Sequence, residues 1–128
     1  MLSKASYATL VPVKNMKRAV KFYTENLGGK LNMKAEKEFA SINIGKNQFW
    51  LIIPSIEEKR ELAYSSFLVD DIKATVADLK KNGVKLQKAE KMGAKSKVEG
   101  PITYESFGAA AFFNDSEGNL QMLWQNTQ

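Results

Sequence analysis

Residues 6–13 are predicted to form a β-strand with a period of two, in which Tyr7, Thr9, Val11 and Val13 alternate with Ala8, Leu10 and Pro12. Beyond it the apolar positions recur at helical spacing, from Asn15, a residue type that caps helices, to Gly28 and Gly29, which favour helix ends. Three further strands are predicted at residues 30–34, 39–44 and 49–53. A turn of three residues at 45–47 joins the last two as a hairpin. The first part of the chain is thus predicted to fold as a strand, a helix and three strands.

The same order of elements is predicted a second time. Residues 69–72 end an apolar run and begin a helical pattern, as residues 13–16 do in the first part. Asp71 is the expected N-cap of this helix, and Asn82 and Gly83 are its expected end. Downstream, the pattern predicts a polar strand at 85–91, a long loop at 92–107 and a final hairpin of 109–114 and 120–125. The repeat predicts a single domain made of module one at 5–55, a linker at 56–62 and module two at 63–128.

The composition is that of a globular domain and excludes several chemistries. The chain has 128 residues, 44% of them hydrophobic, which is long enough for one domain with a core. It contains no cysteine and no histidine, so disulfides, thiolate catalysis, zinc–thiolate sites and histidine-based proton transfer are excluded. The net charge of +5 comes mainly from lysines spread along the chain, which favours a solvated surface over a nucleic-acid interface. No apolar run is long enough for a bilayer and no secretory signal is evident, so we expect a cytoplasmic protein without a membrane partner.

Three sequence blocks carry a resemblance to a known superfamily. They are V-K-N-M-K-R-A-V-K-F-Y-T-E-N-L-G at 13–28, F-L-V-D-D-I at 67–72 and F-F-N-D-S-E-G-N-L-Q-M-L at 112–123. In this order they resemble the vicinal oxygen chelate superfamily, which includes glyoxalase I, the bleomycin-resistance proteins, the fosfomycin-resistance enzymes and the extradiol dioxygenases. The resemblance implies an α+β fold of two βαβββ modules, whose curved eight-stranded mixed sheet forms a cup with a helix packed outside each module. It also implies a homodimer, and, in the catalytic members, a divalent metal in the cup that binds two neighbouring oxygens of the substrate.

The metal ligands of those catalytic members fall on unsuitable residues in this chain. Counted from the matched blocks, the ligand positions are Ala8, Tyr64 and Met122, with a fourth within one or two residues of Trp50. Alanine and tryptophan do not coordinate metals, and a thioether does not suit hard divalent ions. The nearby acidic residues stand at other positions: Glu90, Glu99, Glu105 and Asp115. Of these, Asp115 is expected to cap a turn. We therefore expect no metal and no cofactor, and no metal-dependent lyase, isomerase or dioxygenase activity.

Alternation groups the side chains that share a strand face, and the resemblance implies that these faces line the cup. Nine residues are expected to line it: Ala8, Leu10, Trp50, Ile52, Tyr64, Ser66, Leu68, Met122 and Trp124. This apolar and aromatic lining suits a small hydrophobic or aromatic molecule, and the positive net charge favours a neutral or anionic one. Tyr104, Glu105 and Phe107, on the predicted long loop, are candidates for a lid. The alternative interpretation is that the lining residues fill the cup or form a dimer seam.

Three functions are compatible with these patterns. The first is a metal-independent binding protein that sequesters or senses a hydrophobic or aromatic ligand. The second is an enzyme that uses Tyr64, Tyr104 or Glu105 as an acid or base. The third is a structural homodimer without a ligand. The first accounts for both the unsuitable metal positions and the aromatic lining, and it is the function that the sequence predicts.

Overall fold

The chain divides into two compact units, residues 1–59 (unit 1) and residues 60–128 (unit 2). The structure is a computed structural model, and it describes residues 3–4, 6–32, 36–54, 62–91 and 93–127. Each unit places a helix against a mixed β-sheet, so the predicted α+β class is confirmed. Apart from Leu62, the predicted linker at 56–62 lies outside the described residues. The domain boundaries stay a prediction.

Unit 1 follows the predicted order of a strand, a helix and three strands. Its elements are β1 (Ala8–Pro12), α1 (Met16–Lys21), which continues as a π-helical turn (Phe22–Asn26), β2 (Lys30–Leu31), β3 (Phe39–Ile44) and β4 (Asn47–Ile52). The strand order is β1-β4-β3-β2, with β1 parallel to β4 and the other neighbours antiparallel. The hairpin of β3 and β4 closes through two residues, because Ile44 pairs with Asn47.

One face of this sheet is covered by α1. Val11 and Leu51 on the sheet and Ala19 and Tyr23 on the helical segment are fully buried between them, and the ring of Tyr23 tilts against Phe49 at 5.6 Å. Because side chains alternate between the two faces of a strand, the intervening residues point away from α1. We call this second surface the open face of unit 1. It comprises Ala8, Leu10, Pro12, Lys30, Phe39, Ser41, Asn43, Gln48, Trp50 and Ile52.

Unit 2 repeats this arrangement with one more strand. Its elements are β5 (Ser66–Leu68), α2 (Ile72–Lys81), β6 (Lys97–Glu99), β7 (Ile102–Tyr104), β8 (Gly108–Asn114) and β9 (Leu120–Asn126). The strand order is β5-β9-β8-β7-β6, with β5 parallel to β9. Ile72 and Val76 of α2 are buried, as are Phe113 and Leu123 of the sheet. The opposite surface is the open face of unit 2, formed by Tyr64, Ser66, Leu68, Thr103, Gly108, Ala110, Phe112, Leu120, Met122 and Trp124.

Two predictions for the second module were wrong. Residues 85–91 do not form a strand: a single bridge joins Leu86 to Phe113. The long loop predicted at 92–107 contains β6 and β7, which pair as a hairpin through Gly100 at a φ of +59°. The described residues therefore contain nine strands where eight were predicted. β6 escaped prediction because all three of its residues are exposed, and Val98 stands between two charged residues, so no apolar face repeats along it.

Both predicted helix caps are present. Asn15 Oδ1 accepts a hydrogen bond from the backbone N–H of Arg18 at 3.0 Å, and Asp71 Oδ1 accepts one from Ala74 at 3.1 Å. Asn82 forms the C-terminal cap of α2. The repeated segments 13–16 and 69–72 are thus equivalent strand-to-helix turns in the two units. No helix in the described part of the chain is long and apolar enough to cross a membrane.

We expect Asp71→Ala to lower the free energy of unfolding by about 1 kcal/mol, because the Ala74 N–H loses its acceptor. Urea denaturation followed by circular dichroism measures the change. Asp70→Ala is the matched control: it removes the same charge from an exposed neighbour, and we expect a change of less than about 0.5 kcal/mol. Equal losses from the two variants would contradict the capping role.

Candidate ligand-binding site

The strand register places all nine predicted lining residues on the two open faces. In unit 1, Leu10 lies beside Trp50, and Pro12 lies beside Ile52. The open face of unit 2 holds the other five: Tyr64, Ser66, Leu68, Met122 and Trp124. Within each unit the residues grouped by alternation therefore share one surface. That the two surfaces line one common cup stays a prediction.

Several apolar side chains on these faces are accessible to solvent. Leu10 is 58% exposed, Trp50 38% and Leu68 79%, whereas Val11 and Leu51 on the helix-covered face of unit 1 are fully buried. Exposed apolar side chains that cluster on one surface are typical of interaction sites. These exposures do not agree with a filled interior at Leu10 or at Leu68, whereas they agree with a ligand-binding surface or a dimer seam in either unit.

Two neighbours fix the orientation of the Trp50 indole. Its Nε1–H donates a hydrogen bond to Gln48 Oε1 at 3.1 Å, and the ring of Phe39 meets it edge to face, with centroids 5.8 Å apart and planes at 73°. Edge-to-face aromatic pairs have a favourable geometry, so the indole keeps a defined position on the open face. Sequence reasoning missed Gln48 and Phe39. Alternation along β4 indicates that Gln48 shares a face with Trp50. To assign Phe39 to that face, the length of the hairpin turn must be known.

The open face of unit 1 becomes more polar toward the start of β4. Next to Trp50 on β3 stands Ser41, whose hydroxyl accepts a hydrogen bond from the side-chain amide of Asn32 at 3.3 Å. Asn32 Oδ1 in turn accepts a hydrogen bond from Asn43 Nδ2 at 3.1 Å. Asn43 lies between Gln48 and Lys30 in the register. An amide-rich strip thus borders the aromatic surface.

In unit 2 the corresponding aromatic residue, Trp124, lies directly over a glycine. A Cβ atom on Gly108 would stand 2.1 Å from Trp124 Cζ2 and 2.7 Å from the carbonyl oxygen of Gln125, closer than nonbonded atoms approach. The ring of Phe107 packs against Trp124 with centroids 5.6 Å apart. The absence of a side chain at Gly108 therefore leaves the space that the Trp124 indole occupies. No local sequence pattern reveals this role.

The lid candidates do not lie together. Tyr104 is in β7 opposite Ala109, so it faces the α2 side of the sheet, and its buried hydroxyl has no hydrogen-bond partner among the described residues. Glu105 Oε1 accepts a hydrogen bond from the hydroxyl of Ser96 at 2.7 Å. Only Phe107, through Trp124, makes a ring contact with a predicted lining residue. Tyr104 and Tyr64 lie on opposite faces of the sheet of unit 2, and the lid role and the acid or base roles stay predictions.

The residues at the expected ligand positions do not fit a divalent metal. Ala8 lies beside Gln48 on β4, which places the fourth position two residues before Trp50, within the register uncertainty of the sequence prediction. The available side chains are a methyl group, an amide, an indole, a phenol and a thioether. None is a carboxylate or an imidazole, the side chains that usually hold divalent metals in proteins. Among the described residues, no three His, Cys, Asp or Glu side chains are grouped so that they could hold a metal.

Three of the four acidic residues named above, Glu99, Glu105 and Asp115, have side-chain partners. Asp115 Oδ1 accepts hydrogen bonds from the backbone N–H groups of Glu117 and Asn119, both at 2.8 Å, so its predicted role as a turn cap is confirmed. Glu99 forms an exposed ion pair with Lys73 at 3.0 Å, and this hydrogen bond and the charge of Glu99 raise the pKa of Lys73 above its usual value. Water screens such an exposed pair, so it contributes little to stability.

A shallow depression of about 520 Å³ runs along the outer side of α1. It is lined by Asn15, Lys17, Arg18, Val20, Lys21, Thr24 and Glu25. Small-molecule sites are mostly apolar and enclosing, whereas this surface is wide open and carries several flexible charged side chains. The open face of unit 1, with its oriented indole, is therefore the stronger candidate.

Comparisons with known proteins agree with this fold. The sequence matches the family model described as the Glyoxalase/Bleomycin resistance protein/Dioxygenase superfamily over residues 6–123. No curated protein sequence matches the chain. Similar solved structures with sequence identities of 15 to 23% show the fold alone.

TnmS3, an antibiotic binding protein from Streptomyces sp. CB03234, is 23% identical with a TM-score of 0.72, covering 97% of this chain and 98% of its own. A glyoxalase family protein from Enterococcus faecalis is 20% identical with a TM-score of 0.71, covering 97% and 99%. Lactoylglutathione lyase from Agrobacterium tumefaciens is 15% identical with a TM-score of 0.66, covering 98% and 96%. With the family model matched over most of its length, the chain belongs to the glyoxalase/bleomycin resistance protein/dioxygenase superfamily.

Proposed function

We propose that this protein is a metal-independent binding protein of the cytoplasm that sequesters or senses a small hydrophobic or aromatic molecule. The observation that carries the proposal is the Trp50 indole, which is 38% exposed and yet oriented by Gln48 and Phe39. An indole that keeps its position while exposed to solvent offers a preorganised stacking surface to a flat ligand. Leu10 beside it extends the apolar surface.

Metal independence is supported by the chemistry of the side chains. The chain contains neither histidine nor cysteine, and the positions expected to hold the metal are Ala8, Trp50 or its neighbour Gln48, Tyr64 and Met122. The same superfamily fold occurs in TnmS3, described as an antibiotic binding protein, and in a lactoylglutathione lyase. Because one fold hosts both binding and catalysis, the residues at the site decide between them, and here they favour binding.

The proposal predicts saturable binding of a neutral aromatic probe to protein treated with EDTA. We expect phenylnaphthylamine to bind, and Trp50→Ala to weaken its affinity about tenfold, a loss of about 1.4 kcal/mol from the lost stacking surface. Probe fluorescence measures the affinity. Leu31→Ala is the matched control, because Leu31 is a 42% exposed apolar residue that pairs with the buried Ile42 on the other face of the same sheet. We expect its affinity to stay within about twofold of the parent.

Two results would contradict this proposal. One is equal binding by the parent and Trp50→Ala proteins, which would place the probe elsewhere. The other is binding that EDTA abolishes and a divalent metal restores, which would make the site metal-dependent. Trp50→Phe keeps an aromatic ring and is expected to retain most of the affinity lost in Trp50→Ala.

We also propose that the protein is a homodimer. The exposed apolar side chains of unit 2, Leu68 at 79% and Phe107 at 55%, support this proposal, because apolar surface of this kind is stabilised by burial against a second subunit. The molar mass in solution, measured by light scattering, tests it.

A further inference from the structure

The open face of unit 1 changes from apolar to hydrogen-bonding along its strands. At one end Pro12, Ile52 and Phe39 lie side by side, and two residues along each strand Trp50 follows, next to Leu10. Two further residues along, Gln48 stands in place of an apolar side chain, with Asn43 beside it. These two steps span about 13 Å, since a strand rises about 3.3 Å per residue. A ligand that lies across this face meets an apolar surface first and polar groups at its other end.

The polar end offers hydrogen-bond donors. The Oε1 atom of Gln48 accepts the indole N–H of Trp50, which fixes the amide so that its Nε2–H groups point elsewhere, and they have no partner among the described residues. Lys30 lies opposite Asn43 on the neighbouring strand, is exposed, and makes no ion pair in the part of the chain that the structure describes. An amide N–H and an ammonium group that flank one position favour an acceptor or anion there.

The distribution of charge along the chain also favours an anionic ligand. Residues 1–59 contain ten Lys or Arg and five Asp or Glu residues, whereas residues 60–128 contain nine of each, so the net positive charge lies in the first part. No residue of the open face of unit 1 is acidic. An anionic ligand is therefore attracted to this surface at long range and meets no carboxylate on it.

We infer that the ligand of this face is a flat aromatic anion, whose ring stacks on Trp50 and whose carboxylate, sulfonate or similar group lies over Asn43 between Gln48 and Lys30. This inference rests on the proposed function and names the chemical class of its ligand. The donors at one end orient the molecule, and the aromatic and aliphatic side chains at the other supply the area that it buries.

Two matched probes separate the anion from the ring. Anilinonaphthalene sulfonate and phenylnaphthylamine share the same aromatic groups, and only the first carries a sulfonate. We expect the protein to bind the sulfonate about tenfold more tightly than phenylnaphthylamine at low salt. This preference should shrink in 0.5 M salt, where the Debye length is about 4 Å. Gln48→Glu keeps an acceptor for the Trp50 N–H and replaces the donor with a negative charge. It is expected to remove the preference for the sulfonate.

Lys30→Met provides a second variant, and Lys17→Met on α1 is its control with the same change of net charge. We expect Lys30→Met to weaken sulfonate binding about fivefold and Lys17→Met to change it by less than about twofold. Equal losses from both would show general charge attraction and overturn the inference. Equal binding of the two probes, with Trp50→Ala weakening both, would overturn the inference and leave the proposed function standing. Binding of neither probe, or binding insensitive to Trp50→Ala, would overturn both.

Discussion

Gly108→Ala is expected to lower the free energy of unfolding by about 3 kcal/mol, at the upper end of the usual cost of overpacking. The new methyl group would stand 2.1 Å from Trp124 Cζ2 and 2.7 Å from the Gln125 carbonyl oxygen. The indole and the backbone enclose the same position, so no small rotation of one side chain relieves both contacts. Trp124 must leave its position, and its contact with Phe107 is lost with it.

Urea denaturation measures the loss of stability, and tryptophan emission of a Trp50→Phe background reports the surroundings of Trp124 alone. Gly93→Ala is the control: its Cβ would stand 3.8 Å from the Ser96 hydroxyl, an ordinary contact, and we expect a change of less than about 1 kcal/mol. In a double-mutant cycle, Trp124→Leu should lower the free energy of unfolding less in the Gly108→Ala background than in the parent. In that background the substitution also removes the clash between the new methyl group and the indole. A Gly108→Ala protein with parental stability and emission would contradict this packing.

Asp115→Ala is expected to be comparably destabilising, by about 3 kcal/mol, because two backbone N–H groups lose an ionised acceptor at once. Asp115 is 6% exposed, and its Oδ1 accepts from Glu117 and Asn119 at 2.8 Å. Its Oδ2 also accepts a hydrogen bond from the side-chain amide of Asn119 at 2.9 Å. The variant leaves the turn between β8 and β9 without the group that organises it.

Asp115→Asn provides the conservative comparison. Its Oδ1 atom still accepts both backbone N–H groups, whereas its amide nitrogen faces the amide of Asn119. We expect it to cost less than about half as much as Asp115→Ala in urea denaturation. Losses of equal size would show that the charge or packing of Asp115, and not its acceptor geometry, stabilises the turn.

Features determined by neighbouring residues could be predicted from the sequence. The caps Asn15 and Asp71 act on amides three residues away, and Asp115 acts within its own turn. Their residue types and the adjacent hydrophobic patterns therefore sufficed. The hairpin of β6 and β7 was missed because it depends on pairing with β8 and not on an apolar pattern of its own.

The candidate site could be predicted only along individual strands. Alternation grouped residues within β1 and within β4, and the resemblance related Leu10 to Trp50, which lie side by side, but relating β3 to them requires the length of the turn at Gly45. The sequence suggested three turn residues, whereas Ile44 pairs with Asn47 across two. A shift of one residue exchanges the two faces of a strand, so Phe39 could not be assigned.

Exposure was beyond sequence reasoning for a different reason. Apolar residues at strand spacing fill a core in the same pattern in which they line a surface, and only the structure shows that Leu10 and Leu68 are accessible. The role of Gly108 likewise depends on a ring from another strand. Neither property is recorded in a local pattern.

The central claim is that a flat aromatic ligand binds at Trp50 without a metal, and the indole N–H signals in a ¹H–¹⁵N NMR spectrum test it most directly. The chain has two tryptophans, so two such signals are expected, and Trp50→Phe assigns them. When EDTA-treated protein is titrated with phenylnaphthylamine, the Trp50 signal should move saturably, since its N–H lies at the binding surface bonded to Gln48. The backbone signals of Lys17 and Lys21 on the outer side of α1 should stay in place. A fixed Trp50 signal with moving α1 signals, or a Trp50 shift that occurs only after a divalent metal is added, would contradict the account.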